Sequence, residues 1–375
     1  MAPTEILAQQ HFKGMQQELK KVGVTVALLT GSVKGKARKQ VLQYLKEGVI
    51  HILIGTHALI EDPVVYKNLG ILVIDEQHRF GVAQRAKLWR KNTSPPHVLV
   101  MTATPIPRTL ALTIYGDLDV SLIDELPPGR KPVITTHRND SKRLAVFGFI
   151  KEEIAKSRQV YIVYPLINES ETLDLKDLMD GYESIQRAFP NKQISIVHGR
   201  MKPADKDFEM QRFVKQETQI MVATTVIEVG VNVPNASIMI IENAERFGLS
   251  QLHQLRGRVG RGAEQSYCIL MTGNKISADA RKRLSTMVKT NDGFKIAEVD
   301  LEIRGPGNLE GTQQSGVPNL IIANLIQDQG ILQTARNIAL QIIEQDASLQ
   351  QPEHQALKQH LNSVGKGSVG WAHIS

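Results

Sequence analysis

Short apolar runs recur along the chain and alternate with longer stretches that have the composition of helices. Runs of this length match buried β-strands, and strands that alternate with helices form parallel sheets whose faces the helices cover. In the first half the runs span residues 24–29, 51–55, 70–75 and 98–102. In the second half they span residues 160–165, 194–198, 220–224, 237–242 and 266–271. The pattern predicts an α/β protein with two parallel-sheet lobes.

A proline-rich stretch at residues 126–132 interrupts both periodicities and predicts a linker, because proline lacks the backbone donor that helices and central strands need. With 375 residues the chain exceeds the ~150 residues of a typical domain. We therefore predict a first lobe over residues 1–126, a linker over 127–140 and a second lobe over 141–275. Residues 276–375 are predicted to be a helical carboxy-terminal region with a glycine-rich turn and a helical tail over 319–360.

The charge, the cysteine count and the lengths of the apolar runs limit which kinds of protein this chain can be. Forty-five Lys and Arg against thirty-eight Asp and Glu give a net charge of +7, which is compatible with a polyanionic partner. The single cysteine, Cys268, excludes an internal disulfide framework and a cysteine-based zinc site. No apolar run approaches the ~20 residues that span a bilayer, and the first residues lack a signal-peptide pattern. We expect a cytoplasmic protein that does not enter a membrane.

Two carboxylates, Asp75 and Glu76, directly follow the apolar run at residues 71–74. In open α/β sheets ligands bind beyond the carboxyl ends of parallel strands, where such a pair can hold hydrated Mg²⁺ and activate a water molecule. The plainer interpretation is a strand that ends in a solvated acidic turn. The pair alone does not decide between them.

No phosphate-binding loop of the Walker A type accompanies these acids. The nearest candidate, residues 31–37, is one residue short and ends in Ala37, so it has no hydroxyl for a metal ion. We interpret it as the start of a helix whose basic residues can approach a backbone phosphate.

Two further segments carry polar groups that suit phosphate chemistry. Residues 102–104, Thr-Ala-Thr, end the run that would lie beside the strand leading to Asp75, and they can hydrogen-bond to the acids. Residues 254–262 place Arg256, Arg258 and Arg261 among glycines. Arginine clamps phosphate in a bidentate fork and neutralises charge during phosphoryl transfer. A solvated basic helix or a nucleic-acid patch is the alternative for this segment.

The order of these segments resembles that of the superfamily 2 nucleic-acid helicases. The matching segments are residues 2–7 (motif Ia), 55–57 (Ib), 75–78 (II), 102–104 (III), 223–233 (V) and 254–261 (VI). Residues 300–307 and 311–316 are similar to the translocation motif of the RecG family of bacterial branch-migration helicases, and transcription-repair coupling factor carries a related element. The resemblance covers about residues 1–330 and implies two RecA-like lobes, ATP and Mg²⁺ as cofactors, and a monomer that acts on branched double-stranded DNA such as forks and Holliday junctions.

The resemblance also implies residue roles. Asp75 would coordinate Mg²⁺, Glu76 would act as general base, and Arg258 and Arg261 would reach the γ-phosphate. The residues implied in nucleotide sensing are His78, Gln254, Thr102 and Thr104. The residues implied in DNA contact are Thr4, Thr56, Thr225, Arg304 and Gln314.

This chain departs from the family pattern ahead of motif Ia, where family members carry the Walker A loop and, before it, a DNA wedge domain. We therefore expect an amino-terminally truncated, RecG-like polypeptide whose ATP turnover is undetectable, with an exposed edge or apolar gap in the first lobe. Two alternatives stay open. One is a DNA-binding remnant without catalysis, in which Arg256, Arg258 and Arg261 merely contact phosphates. The other is a transcription-repair coupling translocase.

Overall fold

The computed structural model describes residues 1–76, 96–103, 121–123, 125–165, 171–224, 233–262, 264–304 and 328–364. Within these ranges, the first of two α/β units contains four short strands and two helices. The strands are β1 (Val26–Leu29), β2 (Ile52–Gly55), β3 (Ile71–Ile74) and β4 (His97–Val100). The helices are α1 (Glu5–Leu19) and α2 (Gly35–Glu47).

The first two residues of the chain connect the two strand pairs of the first unit. Strands β1 and β2 pair in parallel, as do β3 and β4. The Ala2 amide donates to the Gly55 carbonyl at 2.9 Å, and the Asp75 amide donates to the Met1 carbonyl at 3.0 Å. The Met1 amine also donates to the Val73 carbonyl at 2.6 Å. Met1 and Ala2 therefore lie between β2 and β3 and place the end of β3 beside the other strands.

The second unit is a six-stranded parallel sheet in the order β5-β10-β9-β6-β8-β7. Its strands are β5 (Ile134–Asn139), β6 (Gln159–Tyr164), β7 (Ile194–Val197), β8 (Ile220–Thr224), β9 (Ala236–Ile241) and β10 (Tyr267–Thr272). Every residue of β6, β8 and β9 is buried, which is typical of parallel strands covered on both faces.

Among the described residues, four helices and two apolar clusters accompany this sheet. The helices are α3 (Arg143–Ala155), α4 (Glu171–Ala188), α5 (Pro203–Val214) and α6 (Leu249–Arg256). One cluster centres on Phe213 and Phe247 and the other on Ile150 and Ile162, so the strands contribute side chains to two separate cores. Ile6 of α1 packs against the first of these clusters, which brings the first unit against the second.

The carboxy-terminal region consists of helices among the residues that the structure describes. They are α7 (Ala278–Lys289), α8 (Gly293–Arg304), α9 (Gln329–Asp346) and α10 (Gln355–Val364). Helices α7 and α8 pack against each other and against α6. No helix within the described ranges is long and apolar enough to cross a membrane.

The predicted α/β class with parallel sheets is confirmed, and the strands lie within two residues of the predicted runs. Two features differ. Strand β5 lies inside the stretch 127–140 predicted as a linker, and it pairs with β10 at the edge of the second sheet. The helical tail is not continuous, because α9 ends at Asp346 and a short 3-10 turn at Pro352–His354 precedes α10. The domain boundaries given above remain predictions.

Candidate nucleotide and DNA site

Asp75 directly follows β3, and it is held by the Met1 carbonyl, which accepts from the Asp75 amide, and by a histidine of α1. Its side-chain Oδ2 lies 3.1 Å from Nε2 of His11, on α1. This hydrogen bond is the main cause that lowers the pKa of the Asp75 carboxyl, and partial burial opposes it. Asp75 is therefore an oriented carboxylate at the carboxyl end of a parallel strand, as the sequence predicts.

Glu76 follows in a left-handed backbone conformation with φ of 53°. Residues other than glycine seldom adopt this conformation, and where they do the strain is often found at functional sites. The Glu76 carboxylate is close enough to attract the guanidinium of Arg261 in the second unit. A carboxylate of the first unit and a guanidinium of the second unit of the predicted site thus lie near each other.

Thr102 lies beside these acids. Strand β4 pairs with β3, and the Met101 amide donates to the Ile74 carbonyl at 2.8 Å. Because the two strands are parallel, Thr102 follows the carboxyl end of β4 beside the carboxyl end of β3, which Asp75 follows. Thr104 and His78 lie outside the described residues.

The three arginines of residues 254–262 have different surroundings. Arg256 is only 3% exposed and ends helix α6. Its guanidinium donates to the carbonyls of Met287 and Thr290, at 2.9 Å each, where helix α7 ends. The alternative in which Arg256 contacts phosphates is therefore wrong, because all of these contacts lie inside the protein.

Arg258 and Arg261 follow Arg256 in the same turn and lie close to the phenol of Tyr161. Burial of the Arg261 guanidinium and repulsion from Arg130 lower the Arg261 pKa, while Tyr161 and Glu76 act in the opposite direction. A Cβ on Gly262 would lie 2.6 Å from the Pro234 carbonyl, just ahead of β9. The turn at residues 257–262 therefore lies at the amino ends of the strands of the second sheet. It faces the carboxyl end of β3 in the first unit, where Asp75 lies.

The remaining predicted residues are placed as follows. The Thr4 hydroxyl accepts a hydrogen bond from the Leu7 amide at 3.3 Å and caps helix α1. Thr56 is extended and precedes the 3-10 turn at His57–Leu59. Gln254 is half-buried on α6, four residues before Arg258. Thr225 and Gln314 lie outside the described residues, and Arg304 is the last residue of α8, where its side chain is not described.

Two residues of the site, His11 and Arg130, are not found by the sequence motifs. His11 is 64 residues from Asp75 in the chain, so no local spacing joins them. Arg130 lies in the proline-rich stretch and donates from Nε to the Gly260 carbonyl at 2.5 Å. Only the folded chain brings either residue to the site.

Asp75 and Glu76 have the chemistry that Mg²⁺ requires. Mg²⁺ prefers oxygen ligands and commonly takes one or two carboxylates, with water and substrate phosphates completing the shell. In the described part of the chain, no group of three or more His, Cys, Asp or Glu side chains forms a denser metal cage. The pair fits a hydrated Mg²⁺ shared with phosphate, and it does not resemble a structural zinc site.

Three family models match successive parts of the chain. The model for DEAD/DEAH box helicases matches residues 1–113, and the model for the helicase conserved carboxy-terminal domain matches residues 142–263. The model for the ATP-dependent DNA helicase RecG, domain 3, carboxy-terminal, matches residues 290–375.

Curated relatives give the same assignment. The ATP-dependent DNA helicase RecG of Synechocystis sp. is 53% identical over 351 residues, which are 93% of this chain and 42% of the relative. RecG of Bacillus subtilis is 49% identical over 366 residues, which are 97% of this chain and 53% of the relative. The chain spans about half the length of the curated relatives it matches.

Solved structures agree at the level of the fold. A structure of RecG bound to a three-way DNA junction matches with a TM-score of 0.71 and 43% identity, over 88% of this chain and 43% of that one. The yeast protein Dbp5 bound to RNA and ADP BeF3 matches with a TM-score of 0.55 and 15% identity, over 81% of this chain and 80% of that one, and supports the RecA-like fold alone. The chain is therefore a RecG-like member of the superfamily 2 helicases.

Proposed function

We propose that this chain is the motor part of an ATP-dependent DNA translocase of the RecG type. The observation that carries the proposal is the oriented carboxylate of Asp75 at the carboxyl end of β3, 3.1 Å from Nε2 of His11 and followed by Glu76 in a left-handed conformation. The arginine turn of the second unit lies near enough for the charges of Glu76 and Arg261 to attract each other. An acid that activates water and an arginine that neutralises developing charge are needed on opposite sides of a transferred phosphoryl group. Closure of the two units would bring both to the same triphosphate.

The roles of the residues follow from their chemistry. Asp75 would hold Mg²⁺, which supplies charge neutralisation at the phosphates. Glu76 would accept the proton of the attacking water, and Arg258 and Arg261 would bind the γ-phosphate. Thr102 and Thr104 would contact the acids, while His78 and Gln254 would respond to the nucleotide.

The proposed substrate is branched double-stranded DNA, at replication forks and Holliday junctions in recombination and repair. A protein of the same family has been solved on a three-way DNA junction, which supports this substrate class. Thr4, Thr56, Thr225, Arg304 and Gln314 would contact the backbone, where hydroxyl and amide groups position a duplex without reading its sequence. We propose that the protein acts in the cytoplasm as a monomer.

The polypeptide of residues 1–375 is proposed to hydrolyse no ATP on its own. Its sequence contains no loop with two glycines spaced by four residues and followed by Lys and Ser or Thr. Without such a loop Glu76 and Arg261 have no firmly anchored triphosphate, so weak binding is expected but turnover is not.

A match to the carboxy-terminal RecG domain over residues 290–375 favours the RecG type over a transcription-repair coupling translocase. The DNA-binding remnant is the second candidate from a different class. The two candidates differ in whether a nucleotide changes the affinity for DNA, because a non-catalytic remnant would bind DNA independently of the nucleotide.

The experiment measures the affinity for a labelled three-way junction by fluorescence anisotropy, with and without millimolar ATP and Mg²⁺. We expect the nucleotide to change the affinity at least about 5-fold, the lower end of typical coupling energies. The substitution Arg261→Gln should abolish the change. Arg246→Gln is the matched control, because Arg246 is exposed and follows the carboxyl end of β9, whereas the arginine turn lies where the strands begin.

Binding that depends on salt but not on the nucleotide would contradict the proposal and favour the remnant. Loss of the nucleotide effect in the Arg246 control as well would show that the change does not come from the arginine turn.

A further inference from the structure

The linker residue Arg130 contacts the turn that presents Arg261. Its Nε donates to the Gly260 carbonyl at 2.5 Å, across 130 residues of sequence. Gly260 has φ of +79°, and a Cβ there would lie 2.8 Å from Cγ2 of Val133. The linker and the arginine turn are therefore in direct backbone and side-chain contact, and the turn requires glycine for two reasons.

Further hydrogen bonds fix the linker at this position. The Gln265 side chain donates to the Pro132 carbonyl at 2.8 Å, and the Asn291 side chain donates to the Val133 carbonyl at 3.2 Å. The Ile134 amide donates to the Ser266 carbonyl at 3.0 Å, where β5 joins the sheet. Arg130 is thus held beside the turn by the residues that follow it.

Three guanidiniums lie near one another at this place, those of Arg130, Arg258 and Arg261. Arg130 is close enough to Arg261 to lower the Arg261 pKa by repulsion, and Arg258 shares the surroundings of Tyr161 with Arg261. Among the residues that the structure describes, the terminal nitrogens of Arg130 have no hydrogen-bond partner. Guanidiniums that converge in this way repel one another, and an anion with several oxygens between them removes the repulsion.

We propose that Arg130 is a third guanidinium of the phosphate site, beside Arg258 and Arg261. It would fix the arginine turn through Nε and bind phosphate oxygens through its terminal nitrogens. This assignment rests on the proposed function, because it takes the arginine turn as the part of the second unit that meets the nucleotide. The same chemistry would serve a DNA phosphate, and the experiment separates the two sources.

The experiment titrates the chain with inorganic tripolyphosphate by calorimetry and, separately, with a linear DNA duplex by anisotropy. We expect Arg130→Gln to weaken tripolyphosphate binding about 10-fold, as for the loss of one hydrogen-bonded charge, and to leave the DNA affinity unchanged. Arg261→Gln should weaken tripolyphosphate binding as well, and the control Arg246→Gln should not. Arg130→Lys keeps the charge without the fork and should lose part of the affinity.

The outcomes separate this inference from the proposed function. If Arg261→Gln weakens tripolyphosphate binding and Arg130→Gln does not, the role of Arg130 is wrong and the proposed function stands. If neither substitution matters, the arginine turn is not a phosphate site and the proposed function fails. Weaker DNA binding by Arg130→Gln with unchanged tripolyphosphate binding would assign Arg130 to the DNA backbone and overturn the proposal. Thermal unfolding shows which variants fold, and Arg130→Lys decides if Arg130→Gln does not.

Discussion

The imidazole of His253 on helix α6 is half-buried and lies beside the guanidinium of Arg256. Its Nδ1 is 3.1 Å from Nη2 of Arg256, so it accepts a hydrogen bond from the guanidinium. Burial and the charge of Arg256 lower the His253 pKa to about 4, against a smaller opposing effect of Asp292. A proton on this imidazole would remove the acceptor and place two cations together.

This arrangement predicts a loss of stability in acid. The unfolded chain binds the proton at the ordinary pKa of 6.5 and the folded chain only at about 4, so stability falls as pH decreases through that window. The contribution to the free energy of unfolding is on the order of 3 kcal/mol. His253→Asn keeps an acceptor for Arg256 and removes the titration, so urea unfolding between these pH values should depend less on pH. The exposed His360→Asn is the matched control, and an unchanged pH dependence in His253→Asn would contradict the explanation.

The burial of Arg256 could not be predicted from the arginine motif, but it could be predicted from the spacing of apolar residues on α6. The sequence groups it with Arg258 and Arg261, because the motif gives only composition and spacing. Leu249, Leu252 and Leu255 are buried on α6, and Arg256 follows Leu249 by seven residues, which places it on the same face. The helical spacing of these residues therefore indicates that the Arg256 side chain is buried. Its partners, the carbonyls of Met287 and Thr290, depend on how α7 packs and could not be predicted.

At the scale of elements, the buried strands were predictable because parallel strands covered on both faces are continuous apolar runs. The exception is β5, whose sequence Ile-Thr-Thr-His-Arg-Asn is largely polar. It lies at an edge of the sheet, where one side is not covered by another strand. Its pairing with β10 comes from contacts more than a hundred residues apart, and local pattern carries no information about them.

The two units differ in how well their strands are covered. Ile71, Val73 and Leu99 of β3 and β4 are exposed, whereas β6, β8 and β9 are buried throughout. Among the described strands, β4 has β3 on one edge and no partner on the other. Since burial of apolar surface is the main source of stability, we expect the first unit to unfold at a lower temperature than the second.

Gly55→Ala tests this difference. A Cβ at Gly55 would lie 1.9 Å from the Leu29 carbonyl oxygen, so β1 and β2 could not pair as they do. The cost is expected to exceed about 3 kcal/mol, as for other overpacked sites. Calorimetry should show two transitions, with only the lower one shifted. Gly70→Ala, where a Cβ meets nothing within 4 Å, is the control. A single transition, or an equal shift of both, would contradict two units of unequal stability.

At the scale of the whole molecule, the candidate site is formed by two units that meet. The sequence predicts Asp75, Glu76, Arg258 and Arg261 because each lies in a local motif of fixed order. The family resemblance implies that Glu76 and Arg261 face the same nucleotide. The sequence does not predict the packing of Ile6 against the second core or the contact of Arg130 with Gly260. These contacts exist only after the lobes come together, and they determine whether the motifs form one site.

We propose that residues 1–375 contain the acid and arginine groups of a helicase motor without a loop that anchors a triphosphate. The most direct measurement is ATP hydrolysis by the purified chain, with Mg²⁺ and with a three-way DNA junction in excess. We expect no phosphate release above the level of a Glu76→Gln control, with or without DNA. Robust hydrolysis that DNA stimulates and Glu76→Gln abolishes would contradict the claim, because it would require the chain to anchor ATP by other residues.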